Sequence, residues 1–376
     1  MIILKLIKNF FQYNKIISEY CNFNKKLYGK LDTKRNKNEI LIEFNAFQVQ
    51  HVAYSIISNI LSRKFKAKIK AYSGHSLLVS PLRYNLINEI KWIVGNYFNL
   101  KNFKIYRSFN TSNIFKPKIE NSIEEQSLKI FKKTWPKIKK NDHILGLKLF
   151  NITIGDLLYD TYLKKNYVPT IDIKSANFRN FYLDFIKLTV FWNNYFNKNN
   201  VKAVLASHPV YSYGLPLRFA AQKGIDAYVI DIEHFFRITK KNIHQLSDSR
   251  YYKKIAKQID KEVLKKGKID SNERLKQKFS GVNKLNMDNP AIQKGSFHSN
   301  LSKRKIIRSN KIKVLICTHE LFDAVHLHGN NLFADFFEWM EFLGKISKKT
   351  NYDWYIKPHR NQLGKYKIYQ PNTIKY

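Results

Sequence analysis

The chain has 376 residues, of which 44% are hydrophobic and 15% aromatic, so it is long enough for two domains and too apolar for a disordered protein. Its 67 Lys and Arg residues against 28 Asp and Glu residues give a formal net charge of +39. That charge favours an acidic membrane surface or phosphate-bearing substrates as partners, although an AT-rich genome also produces many lysines. No zinc finger, RNA-recognition signature or basic leucine-zipper region occurs, so nucleic acid is not expected as a partner.

The N-terminal segment 1–38 is basic and has a helical pattern. Lys5 and Lys8 interrupt its apolar residues too early for a secretory signal, and no run of about 18 apolar residues occurs anywhere in the chain. The segment is predicted to form either a packed amphipathic helix or a helix that lies on a membrane surface. Two distant cysteines, Cys21 and Cys317, make no disulfide framework, which fits a cytoplasmic protein, peripheral on the inner membrane if the helix binds lipid.

Residues 39–240 alternate between short apolar runs and segments with helical spacing, which predicts βαβ units around a parallel sheet. The predicted strands are Glu39–Phe44, Ala67–Tyr72, Phe103–Tyr106, Val201–Ala206 and Asp226–Asp231. The predicted helices are Ala46–Ser62, Tyr84–Gly95, Ile154–Lys164, Phe178–Asn197 and Tyr213–Lys223, the last followed by Gly224. The pattern is that of a doubly wound, Rossmann-like α/β domain.

Residues 241–310 are more polar and predict surface helices, then an interdomain linker. These helices are Ser247–Gly267 and Asn272–Phe279. A second α/β unit over 311–376 has two predicted strands around one helix, namely Ile312–Cys317, Asn331–Lys349 and Tyr352–Lys357. A parallel sheet buried on both faces needs more than these two strands. We therefore expect a second Rossmann-like domain that is truncated. Either the chain is a fragment, or another element completes the sheet.

Ligands of open α/β sheets bind beyond the carboxyl ends of the strands, so the residues after each predicted strand are the candidates. His208 follows Val201–Ala206 and is a candidate catalytic base, because histidine titrates near neutral pH. The alternative is a histidine that bonds to the loop backbone. Glu233 follows Asp226–Asp231 and is either a second catalytic residue, which orients or deprotonates a hydroxyl, or a solvated loop carboxylate.

Two further loops carry candidates for binding a phosphate. The loop after Ile312–Cys317 contains His319 and Asn330 and precedes a predicted helix, whose exposed backbone N–H groups attract anions. Its histidines lack the HExxH spacing, so no metal site is expected. The cations Lys357, His359 and Arg360 suit a diphosphate; the alternative is an exposed basic turn.

Asp156 and Asp160 are four residues apart and therefore lie on one face of the predicted helix Ile154–Lys164. They are candidate ligands for the hydroxyls of an acceptor, and the alternative is pairing with lysines. No GxGxxG or Walker-type loop occurs, which disfavours a standard dinucleotide enzyme or P-loop NTPase.

Several segments together resemble the capsule and surface polysaccharide biosynthesis proteins, which are glycosyltransferase-B-like enzymes related in architecture to capsular Kdo transferases. The likeness spans about residues 39–360 and rests on the order of five motifs. They are ILIEFNAFQVQHVAYSIISNIL, IGDLLYDTYLKK, VLASHPVYSYGLPLRFAAQKG, RLKQKFSG and KVLICTHELFDAVHLHGNNLFADFFEWMEFLGKISKKTNYDWYIKPHR.

The resemblance implies two Rossmann-like domains facing a cleft, the first for an acceptor glycan and the second for a nucleotide-sugar. Lys357 and His359 match the family's Lys-Pro-His motif, whose histidine is expected near the donor phosphate, whereas Arg360 stands where the family has Pro. The expected function is transfer of a sugar from a nucleotide-sugar to a lipid-linked or polysaccharide acceptor, without metal or other cofactor. The alternatives are a non-catalytic or remnant assembly protein that lacks a complete donor site, and a nucleic-acid-binding protein.

Overall fold

A computed structural model describes residues 2–29, 37–45, 48–73, 86–230, 235–244, 250–279, 306–329 and 331–359. The chain forms two compact units. The first comprises Met1–Gln245, Cys317–Ile346 and Pro358–Tyr376, and the second comprises Leu246–Ile316 and Ser347–Lys357. Among the described residues, no helix is long and apolar enough to cross a membrane.

Strands and helices alternate over much of the described chain. The strands are β1 (Asn38–Phe44), β2 (Lys68–Ser73), β3 (Thr111–Phe115), β4 (Lys148–Leu149), β5 (Ile152–Thr153), β6 (Asn200–Ala206), β7 (Asp226–Ile230), β8 (Phe235–Ile238), β9 (Lys313–Cys317) and β10 (Asp353–Lys357). The helices are α1 (Ile2–Tyr28), α2 (Gln48–Phe65), α3 (Leu86–Tyr97), α4 (Asn102–Ser108), α5 (Asn121–Thr134), α6 (Asn141–Leu145), α7 (Gly155–Asn166), α8 (Ala176–Lys198), α9 (Gly214–Gln222), α10 (Arg250–Gln258), α11 (Lys261–Phe279) and α12 (Phe336–Ser347).

The main sheet has six strands in the order β3-β2-β1-β6-β7-β8. The first five are parallel, and β8 pairs antiparallel with β7, so the sheet is mixed rather than entirely parallel as expected. The chain moves outward from β1 through β2 to β3 and then returns to β6 on the other side of β1. The strand order therefore reverses between β1 and β6, which is the arrangement of a Rossmann-like sheet.

Two layers of buried side chains cover the sheet. On one face, Tyr72 of β2 packs edge-on against Trp192 of α8, with ring centroids 5.1 Å apart. On the other face, Phe44 of β1 packs against Phe103 and Tyr106 of α4. Burial on both faces explains why β1 and β6 are nearly continuous apolar runs and were recognisable in the sequence.

Four predicted elements differ from the structure. One of them, the predicted helix Asn272–Phe279, is the C-terminal part of the longer helix α11. Phe103–Tyr106 lies in α4, and the third strand is Thr111–Phe115, because a short apolar run fits a buried helix as well as a strand. The predicted helix Ser247–Gly267 is broken before α11, where the Asp260 carboxylate accepts the N–H groups of Glu262 and Val263 and caps the new helix.

The predicted helix Asn331–Lys349 begins later, at Phe336. Asp335 caps it, since its carboxylate accepts the N–H of Glu338 at 2.9 Å. The predicted end of α9 is confirmed: Gly224 has φ +72°, and the N–H of Ile225 donates to the carbonyl of Ala220 at 2.9 Å. Beyond the first unit, β9 and β10 form a separate two-stranded sheet.

Candidate functional site

The candidate site lies at the reversal of strand order, where the carboxyl ends of β1 and β6 are neighbours. Glu43 is at the end of β1, and Ser207 and His208 directly follow β6. Glu43 and Ser207 are buried, whereas His208 is half-buried. This position is where open α/β sheets bind their ligands.

A chain of hydrogen bonds joins these three residues. One carboxylate oxygen of Glu43 accepts both the main-chain N–H and the hydroxyl of Ser207, each at 2.6 Å. The Nδ1 atom of His208 lies 2.7 Å from the same hydroxyl oxygen. Because a carboxylate only accepts, the one proton of Ser207 goes to Glu43, and Nδ1 of His208 must donate. The network therefore assigns the Nδ1–H tautomer to neutral His208, which leaves a lone pair on Nε2.

Four tyrosines surround the carboxylate of Glu43. Burial, followed by the negative charge of Glu43, raises the pKa of Tyr54, Tyr72 and Tyr213. Burial also raises the pKa of Tyr106, whose hydroxyl donates to the main-chain oxygen of Glu43. No Lys, Arg or His of the described chain forms a salt bridge with Glu43, and the buried hydroxyl of Tyr72 has no partner there. The site is thus a buried polar cluster around Glu43, with the half-buried His208 at its edge.

The loop that carries His208 has a constrained backbone. Tyr211 has φ +55°, a left-handed conformation that costs free energy in a non-glycine residue. Gly214 follows, and a Cβ atom there would lie 2.3 Å from the carbonyl oxygen of Pro209 and 2.8 Å from Leu157. The loop is therefore held against α7, and a larger residue at position 214 would displace it.

The predicted acceptor ligands Asp156 and Asp160 are both buried on α7, and side chains of the protein bind both. Arg218 donates two hydrogen bonds of 2.5 Å to the carboxylate of Asp156, and Nε2 of His244 lies 3.1 Å from it. Burial alone would raise the pKa of Asp156, but the charges and hydrogen bonds of Arg218 and His244 together outweigh burial and lower this pKa well below the usual range. The structure thus places these two carboxylates in internal ion pairs.

Asp160 binds the loop between β9 and α12. Its carboxylate accepts the main-chain N–H of His326 at 3.0 Å and lies 2.6 Å from Nδ1 of the same residue. Burial raises the pKa of Asp160. Burial would lower the pKa of His326, but the hydrogen bond to Asp160 and the Asp160 charge outweigh it, so this pKa is raised.

The same loop makes further polar contacts with α7 and with the loop after β6. Tyr159 donates to Asp335 at 2.5 Å, and Lys164 forms an ion pair with Asp323 at 2.8 Å. Tyr211, in the loop that carries His208, also donates its hydroxyl to Asp323. The loops that follow β6 and β9, which the sequence singled out separately, are therefore in direct contact.

The structure brings together two of the predicted phosphate ligands. The imidazole rings of His319 and His359 have centroids 5.6 Å apart, and the N–H of His359 donates to the hydroxyl of Thr318 at 3.1 Å. The carboxylate of Glu320 lies 3.8 Å from Nδ1 of His359 and contributes negative charge to the pair. Lys357 is exposed at the end of β10.

Three predicted site residues, Glu233, Asn330 and Arg360, lie outside the described residues. Within the described ranges, no three His, Cys, Asp or Glu side chains are grouped so that they could hold a metal ion. Sequence reasoning missed Glu43 and Ser207. The available signal was Glu43 itself, an ionisable residue near the carboxyl end of an otherwise apolar strand. The chain matches no family model, no curated protein and no solved structure.

Proposed function

We propose that the chain is a glycosyltransferase that transfers a sugar from a nucleotide-sugar to a hydroxyl of a growing surface polysaccharide. The observation that carries the proposal is His208, which lies at the reversal of strand order and is oriented through Ser207 by the buried Glu43. A half-buried histidine with a lone pair on Nε2 suits deprotonation of a sugar hydroxyl. The resemblance to capsule polysaccharide enzymes points to the same chemistry.

In the proposed step, the acceptor hydroxyl oxygen forms a bond to the anomeric carbon of the donor sugar. The bond from that carbon to the nucleotide diphosphate breaks, and its electron pair leaves with the diphosphate. Nε2 of His208 takes the hydroxyl proton, and the resulting imidazolium remains hydrogen-bonded through Ser207 to the carboxylate of Glu43. The carboxylate thus stabilises the positive charge that develops during transfer.

Cationic side chains are proposed to stabilise the leaving diphosphate in place of a metal ion. His319 and His359 are near each other. Lys357, Arg360 and Asn330 are kept from the sequence as further proposed ligands of the donor phosphate. Glu233 is kept as a second proposed catalytic residue. Asp156 and Asp160 are proposed to hold the acceptor side of the site through their ion pairs rather than to contact the acceptor. The two-domain arrangement and a cytoplasmic location at the inner membrane belong to the same proposal.

The test is release of nucleotide from a panel of nucleotide-sugars, measured with the full chain in the presence of lipid-linked and oligosaccharide acceptors. We expect one donor to give nucleotide release that depends on acceptor, with one glycosidic bond formed per nucleotide released. Hydrolysis that does not depend on acceptor is the control reaction. Failure to release nucleotide from every donor in the panel would contradict the proposed function.

A further inference from the structure

Helix α3 exposes an apolar face to solvent. The exposed fractions are 52% for Ile90, 59% for Ile93, 41% for Val94 and 82% for Tyr97. These positions are spaced i, i+3, i+4 and i+7, so they form one continuous stripe. Phe98 and Leu100 extend it past the end of the helix, with exposed fractions of 63% and 47%. We name these six side chains the α3 apolar surface.

The opposite face of α3 fixes the helix in this orientation. Trp92 packs edge-on against Phe44 and Phe103, with ring centroids 5.0 Å apart in both pairs. Gly95 faces Phe103 so closely that a Cβ atom would lie 2.8 Å from the ring. The helix therefore cannot rotate its outer apolar face inward without losing these contacts. Six apolar side chains on one exposed surface are more than scattered solvent-exposed residues and mark an interaction site.

The segment that contains the α3 apolar surface is strongly basic. Residues 86–118 contain six cationic side chains and one acidic side chain, Glu89. The cations are Lys91, Lys101, Lys104, Arg107, Lys116 and Lys118. Glu89 is in an ion pair with Lys116, which also lies 4.6 Å from the ring of Trp92. A partner that covers this surface must therefore be apolar at its centre and negatively charged around it.

We propose that the α3 apolar surface docks on an anionic lipid membrane. Binding at a membrane interface combines three components. Apolar side chains insert among acyl chains, aromatic residues lie at headgroup depth, and cations lie beside anionic headgroups. A second copy of the chain fits less well, because a symmetric contact would bring two cationic rims together in a protein of net charge +39. Docking does not depend on the proposed transfer reaction, so either can fail alone.

The test is co-sedimentation of the full chain with vesicles of phosphatidylcholine alone and of phosphatidylcholine with about one part in three phosphatidylglycerol. The wild-type protein should bind the anionic vesicles and bind the neutral ones weakly. The double variant Ile93→Ser/Tyr97→Ser should bind anionic vesicles at least about tenfold more weakly, because it removes two inserted side chains. Tyr97→Trp should retain binding, and its fluorescence should shift to shorter wavelength with vesicles.

The matched control is Val263→Ser/Ile269→Ser, which changes two side chains of α11 that are each 61% exposed. It should bind vesicles like the wild type, and all variants should unfold at the wild-type temperature. Two outcomes would overturn the proposal. One is undiminished binding of the Ile93→Ser/Tyr97→Ser variant. The other is a wild-type dimer in solution that this variant dissociates, since the surface would then be covered by a second copy.

Discussion

At the scale of single residues, the proposed function depends on the orientation of one imidazole ring. In a neutral histidine, a hydrogen bond to one ring nitrogen determines which of the two nitrogens carries the proton. In His208 that bond goes to the hydroxyl of Ser207, whose proton is committed to Glu43. Glu43 and Ser207 thus act as positioning residues that keep Nε2 available as a proton acceptor.

This assignment predicts the outcome of removing the Ser207 hydroxyl. In the wild-type protein, nitrogen NMR of the imidazole should show neutral His208 protonated on Nδ1. In Ser207→Ala, the ring loses its acceptor, and the population should move largely to the Nε2–H form. The control is Ser212→Ala, because the buried Ser212 hydroxyl in the same loop has no partner in the described structure. Equal tautomer populations in wild type and Ser207→Ala would refute the proposed hydrogen-bond chain from Glu43 through Ser207 to His208.

At the scale of elements, helix α7 contacts both the loop that carries His208 and the loop that follows β9. The pair formed by Asp160 and His326 is buried at the centre of these contacts. On either side of it, Tyr159 binds Asp335 and Lys164 binds Asp323. Breaking one partner of a buried pair leaves the other charge without compensation, which is strongly destabilising. These contacts of α7 with the loop after β9 should therefore contribute much of the stability of the first unit.

We predict that His326→Leu lowers the free energy of unfolding by about 3 kcal/mol near pH 6. The pKa of His326 is raised in the folded protein, so this contribution is complete below the unfolded-state pKa of about 6.5 and is lost as pH rises through the folded-state pKa. Urea unfolding at about pH 6 and about pH 9 measures the difference. The deficit of the variant should be larger at the lower pH.

The control for this measurement is His143→Leu. His143 is exposed on α6, and its Nδ1 contacts only main-chain atoms of Lys137 and Lys139 in the described structure. Its replacement should change the free energy of unfolding by less than about 0.5 kcal/mol at either pH. A His326→Leu deficit that grows with pH would contradict the sign of the linkage.

The elements also show what the sequence could predict. Strands β1 and β6 were found because burial on both faces makes them continuous apolar runs, and α8 because its apolar spacing extends over 23 residues. Phe103–Tyr106 was predicted as a strand but lies in α4, and β3 was not predicted, because a segment of four residues is too short to show a decisive period. Strand β8 was missed, because its Phe235–Ile238 segment is only partly buried at the edge of the sheet.

At the scale of the whole molecule, the sheet order explains why the sequence predicted only one residue of the candidate site around Glu43. The rule that ligands bind after parallel strands pointed to His208. Its partner Glu43 is 165 residues earlier, and only the pairing of β1 with β6 brings them together. The pairing of Asp156 with Arg218 likewise depends on tertiary packing, so spacing along α7 placed both carboxylates on one face without revealing their partners.

The most direct test of the proposed function is the rate of sugar transfer by wild type and His208→Gln, measured with the donor that the nucleotide-release panel identifies. Loss of the general base should lower kcat by about 10²- to 10⁴-fold. The His143→Gln control should transfer sugar at the wild-type rate, because His143 lies on the exposed helix α6. Undiminished transfer by the His208→Gln variant would contradict the role of His208 and with it the proposed site.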